Sequence, residues 1–258
     1  MRSYDVSHKS KCQDQYCTPV FNMDDFVKNG TMTDEMYRFL SGCFASGLST
    51  CFTGNCGSGK TTAMGSFLKS VSDVQRILII EKKYQEMCLC SGNLMHWISD
   101  EQHSVKELLD YAVYAKPNIL CLGEMRSNET LQVMNLCQTG QIMTTIVHAN
   151  SCREMYRRMA ALCQLSKPDI SCDELYRICI TSFPIGVHIR KMDDGVHRVT
   201  QISESYIDSD GEPVVNLLYK YEISLYESFG KKIEGDFIRV NEPSDGLKKR
   251  LRASAAEV

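Results

Sequence analysis

The run Gly54-Asn55-Cys56-Gly57-Ser58-Gly59-Lys60-Thr61 constrains this chain more than any other feature. The spacing GxxxxGK[ST] forms a phosphate cradle when a strand enters it and a helix leaves it. Backbone N–H groups then converge on an anion at the positive end of the helix dipole. Both flanks meet that requirement: Ser49 to Thr53 reads as a short strand, and Lys60 to Leu68 as a helix. The predicted nucleotide-binding residues are Gly54, Asn55, Cys56, Gly57, Ser58, Gly59, Lys60, Thr61 and Thr62, with ATP as the expected ligand. Lys60 is expected to reach the β- and γ-phosphates, and the Thr61 hydroxyl to ligate Mg²⁺.

The surrounding pattern is that of an α/β protein. A helix is expected from about Thr33, with Met36, Phe39, Leu40 and Phe44 on one face and Gly47 as its stop. Arg76 to Glu81 and Asn118 to Gly123 are apolar runs of strand length, suited to burial on both faces of a parallel sheet. Ser104-x-x-Glu107, Ser151-x-x-Glu154 and Ser171-x-x-Glu174 are capping boxes, each opening a helix. A helix from about Glu129 to Cys137 and a strand at Ile142 to Val147 complete a β-α-β alternation that predicts a mostly parallel, doubly wound sheet.

Past Pro184 the pattern becomes antiparallel. Gly186 to Arg190 and Val196 to Ser203 flank the turn Asp193-Asp194-Gly195, and Ser209-Asp210-Gly211 leads into Val214 to Ile223. The expected division is a tail at 1–22, a nucleotide-binding core at 23–183, an antiparallel β extension at 184–246, and a basic helix or tail at 247–258.

A formal charge of −3 argues against broad electrostatic binding of nucleic acid, so no direct nucleic-acid contact is expected. No run of about 18 apolar residues is present. The first residues lack the apolar region of a secretory signal, and 13 cysteines then point to a reducing, cytoplasmic setting. The close pairs Cys12/Cys17 and Cys88/Cys90 have spacings that fit zinc poorly.

Hydrolysis needs a carboxylate that orients and deprotonates water. Glu124 follows the strand Ile119 to Leu122 through Gly123, at the carboxyl edge where open α/β sheets bind ligands. Glu81 ends the preceding strand in the same way and is placed to hold Mg²⁺ through water. His148 ends the strand Met143 to Val147, where an imidazole senses a γ-phosphate or hydrogen-bonds Glu124. His96 and His188 have no such context and read as structural.

These residues together resemble the secretion and pilus ATPase family, which serves type II and type IV secretion, type IV and tight-adherence pili, and conjugation. The resemblance runs from about Met23 to Leu251. It rests on the phosphate loop, an acidic strand at Arg76 to Glu81, a Gly123-Glu124 pair with Arg126 and Glu129 beyond it, and Thr144-Thr-Ile-Val-His148-Ala-Asn-Ser151. The wording around His148 is similar to tight-adherence pilus and conjugative ATPases. The resemblance implies a RecA-like core, Glu124 as general base, Glu81 acting on Mg²⁺ through water, His148 as nucleotide sensor and Arg126 beside Glu124. It further implies a homo- or hetero-oligomeric ring, hexameric in the family, working at the cytoplasmic face of the inner membrane on a membrane platform protein.

Three features depart from the family pattern. Only 53 residues precede Gly54, less than the family's N-terminal domain. Lys82 stands where the family carries a second acid, and the segment Gly140-Gln141-Ile142 is shorter than the family's Gly-rich turn. A misplaced unit charge about 4 Å from another is worth about 4 kcal/mol at an effective dielectric near 20, so an amine beside the metal would depress turnover. The alternative function is therefore a nucleotide-gated interaction subunit that hydrolyses little and acts with a full-length relative.

Overall fold

A computed structural model describes residues 21–83, 85–87, 89, 93–227 and 232–255. The tail expected at 1–22 lies outside these residues except for Phe21 and Asn22, as do Cys12, Cys17, Cys88 and Cys90.

In chain order the elements are α1 (Met23–Lys28), α2 (Asp34–Ala45), β1 (Thr50–Thr53), α3 (Lys60–Val71), β2 (Ile77–Lys82), β3 (Leu94–Ser99), α4 (Val105–Ala115), β4 (Ile119–Leu122) and α5 (Glu129–Gln138). They continue as β5 (Ile142–Val147), α6 (Cys152–Gln164), α7 (Cys172–Ser182), β6 (Ile185–Lys191), β7 (His197–Ile207), β8 (Pro213–Glu227), β9 (Lys232–Arg239) and α8 (Asp245–Ala255). One nine-stranded sheet runs β3-β2-β4-β5-β1-β6-β7-β8-β9. Strands from β3 to β6 in that order pair in parallel, and β6 to β9 antiparallel.

Alternation along β2 shows why the sheet is covered on both faces. Ile77 and Ile79 enter the cluster built on α2 and α3, whereas Leu78 and Ile80 enter the one built on α4 to α7. Phe67 of α3 anchors the first cluster, stacking on Phe44 at 5.2 Å and meeting Phe52 of β1 at 6.0 Å. Helix starts follow the sequence signals: Ser104 and Ser171 form complete capping boxes, and Ser151 accepts the N–H of Glu154.

The C-terminal section is joined to the core sheet. β6 belongs to both sections, because it pairs in parallel with β1 as well as antiparallel with β7. The extension therefore continues the core sheet across the boundary set at 184. The basic end is a helix, α8, whose Leu247 is buried and whose start is held by the buried Glu204, which accepts the N–H of Ser244 at 2.8 Å.

Candidate functional site

The loop between β1 and α3 is held from beneath by the C-terminal strands. A Cβ on Gly54 would lie 2.1 Å from the carbonyl oxygen of Ile189, so the loop enters directly against β6. Gly57 and Gly59 take φ values of 70° and 92°, the left-handed region that glycine adopts without strain. The Nδ1 of His197, the first residue of β7, lies 2.9 Å from the Ser58 carbonyl and donates to it. The sequence reading missed His197, whose contact spans 139 positions and leaves no local signal.

Lys60 is buried, with its ammonium donating to the Asn55 carbonyl at 2.6 Å. Burial pushes its pKa below the usual ammonium value, while the Glu124 carboxylate works the other way. The Thr61 hydroxyl makes no hydrogen bond among the described residues, which leaves it available as a ligand. No group of three His, Cys, Asp or Glu side chains forms a metal site among the described residues.

Glu124 follows β4 and is partly exposed at 19 %. One of its oxygens takes a charged hydrogen bond from Arg126 at 2.6 Å, and the other lies 3.2 Å from His148 Nε2. Three residues singled out from sequence thus meet on a single carboxylate. Gly123 packs closely on Glu81: a Cβ there would sit 3.2 Å from the Glu81 side chain.

Glu81 is buried, and both of its carboxylate oxygens are engaged. It accepts the N–H groups of Glu86 at 3.1 Å and Met87 at 3.2 Å, and lies 2.6 Å from His96 Nε2. His96, read as structural, proves to be its direct partner across the parallel β2–β3 pair. Glu86 is a further acid at the site: burial, then Glu81 and Glu124, push its carboxyl above the usual range.

Lys82 leaves this carboxylate set and pairs with Glu129 at 2.9 Å. Burial alone would raise the Glu129 pKa, but the Ser127 hydroxyl, the Arg126 N–H and Lys82 outweigh it and hold it at about 2. His188, the other histidine read as structural, is buried with Nδ1 at 2.6 Å from the Thr200 hydroxyl.

The family described as Type II/IV secretion system protein matches residues 17–179. The chain belongs to this family. Among curated relatives of this secretion-family chain, the type IV secretion system protein VirB11 of Brucella abortus is 25 % identical over 177 residues, 64 % of this chain and 48 % of that one. The crystal structure of the VirB11 ATPase of the Brucella suis type IV secretion system with sulphate superimposes with a TM-score of 0.59 at 19 % identity, covering 72 % of this chain and 64 % of that one. The pilus retraction motor PilT with bound ADP gives a TM-score of 0.56 at 14 % identity, covering 93 % and 58 %. This secretion-family chain spans about half the length of the curated relatives it matches. Its fold is the RecA-like α/β fold of those structures, with a parallel core and antiparallel C-terminal strands. No described helix is long and apolar enough to cross a membrane.

Proposed function

We propose that this chain binds ATP with Mg²⁺ in the loop Gly54 to Thr62 and hydrolyses it as a motor subunit of a pilus-assembly or type II or type IV (conjugative) secretion machine. The observation that carries the proposal is Glu124, clasped by Arg126 and His148 within the electrostatic reach of the buried Lys60. A carboxylate offers more acceptor sites than these two partners occupy, so Glu124 retains a lone pair for the attacking water.

In this reading Lys60 and the loop N–H groups hold the β- and γ-phosphates, and Thr61 would hold Mg²⁺, which when bound would supply neutralising charge to the phosphates. Glu124 orients the water and accepts its proton, and His148 and Arg126 fix the carboxylate. Glu81, with both oxygens engaged, would act on the metal through water by its charge, and it packs beside Gly123. The family setting supports assembly into a ring, hexameric by analogy, peripheral to the cytoplasmic face of the membrane and driving a platform protein.

The second reading, a hydrolysis-poor subunit gated by nucleotide, rests on the hold of Arg126 on Glu124. In that reading the guanidinium keeps the base occupied until a partner removes it.

Thermal unfolding tests the binding half. Ligand at about 100 times its Kd adds about 2.7 kcal/mol, which for a domain of this size raises Tm by about 5–10 °C. ATP with Mg²⁺ should give that rise in the wild type and none in Lys60→Ala. The same rise in both proteins would refute binding through this loop.

A further inference from the structure

Arg190 belongs to none of the motifs considered so far. The parallel pairing of β1 and β6 sets Thr53 opposite His188. Two residues beyond each stand Asn55, where β1 gives way to the phosphate loop, and Arg190, still within β6. The same two residues, with His188 and Asn150, line one small cleft at that edge.

The charge of Arg190 is unanswered. It makes no hydrogen bond or ion pair with any described residue, whereas the neighbouring guanidinium groups are engaged: Arg126 on Glu124 at 2.6 Å and Arg198 on Asp194 at 2.7 Å. Its backbone is held in the sheet: Arg190 pairs with Arg198 of β7, and β6 is paired with β1 as far as His188, itself tied to Thr200. An exposed, unpaired guanidinium lining a cleft with the phosphate loop is available to an anion.

Asn55 indicates which part of the anion. Its carbonyl holds the Lys60 ammonium, the group that in such loops contacts the β- and γ-phosphates. Asn150, also in the cleft, lies two residues past His148, which touches the proposed general base. The cleft therefore opens on the end of the loop where the terminal phosphate would sit.

We propose that Arg190 binds the terminal phosphate of a nucleoside triphosphate held in the same chain's loop, and so sets the preference of this site for triphosphate over diphosphate. The proposal rests on the nucleotide-binding reading above. Arg190 is exposed and unpaired, so its substitution leaves the fold intact.

Calorimetric titration of ADP and of a non-hydrolysable ATP analogue, both with Mg²⁺, tests it on the wild type, Arg190→Gln, Arg190→Lys and Lys60→Ala. Arg190→Gln should lose about tenfold or more in affinity for the triphosphate, the scale of one charge-assisted hydrogen-bonding group, and less than about threefold for ADP. Arg190→Lys should fall between, because an ammonium restores charge without the planar fork. Equal losses for the two nucleotides, or no loss for either, would overturn the assignment while leaving nucleotide binding intact. A wild type that binds neither nucleotide would overturn the functional reading, and this inference with it.

Discussion

The ammonium of Lys82 sits 2.9 Å from the carboxylate of Glu129, whose side chain is only 4 % exposed. This pair decides what a cation after Glu81 does. Successive strand residues point to opposite faces, so Glu81 joins the α3 side with the phosphate loop and Lys82 joins the α4–α5 side. There it meets an acid that also receives the N–H groups of Arg126 and Ser127, and so pins the loop that carries Glu124. The amine does not enter the carboxylate set at the site; it braces that set from behind.

Removing Lys82 should thus weaken the fold more than the nucleotide site. Breaking a buried pair costs about 3–5 kcal/mol, and the partial exposure of Lys82 reduces this. Lys82→Met is expected to destabilise by about 1–2 kcal/mol in urea unfolding, with ATP affinity changed less than about threefold. Lys82→Glu should destabilise further, by setting two carboxylates together. Nucleotide affinity that collapses in Lys82→Met at unchanged stability would place the amine at the ligand after all.

His188 gives a pH signature. Burial, then the charge of Arg190, lowers its pKa from 6.5 to about 4, with Glu154 opposing and Lys60 reinforcing. The unfolded chain therefore takes up this proton first on acidification. The associated stability is complete above pH 6.5 and declines as pH falls toward 4. The full difference is about 3 kcal/mol. Unfolding free energies measured from pH 7 to 4 should show this slope, and His188→Gln should flatten it across that interval.

Cys56 lies exposed within the phosphate loop, while Cys51, Cys121 and Cys179 are buried. A maleimide should modify Cys56 readily in the free protein and much more slowly with ATP and Mg²⁺ bound. Peptide mapping by mass spectrometry separates it from Cys172, the other exposed thiol among the described residues. Cys56 labelling that ignores nucleotide would show that the ligand sits elsewhere.

The legible parts of this molecule were those with local causes. Apolar runs gave β2 and β4, capping boxes gave α4, α6 and α7, and strand ends gave Glu124 and His148. Their meeting on one carboxylate follows from parallel strands ending at one edge. The edge strands were less visible: the apolar residues of β3 are interrupted by His96, and β9 alternates weakly around Gly235. His96 and His197 act through partners 15 and 139 positions away, and only the sheet brings them close. Lys82 was legible in principle, because strand alternation alone sends it away from Glu81.

The most direct test of the motor reading is steady-state ATP hydrolysis by the purified chain, compared with Glu124→Gln under saturating ATP and Mg²⁺. If Glu124 is the general base, the amide should lower kcat by about 10²–10⁴-fold, the usual contribution of a positioned base, while ATP affinity stays near that of the wild type. Equal kcat values for the two proteins would contradict the account.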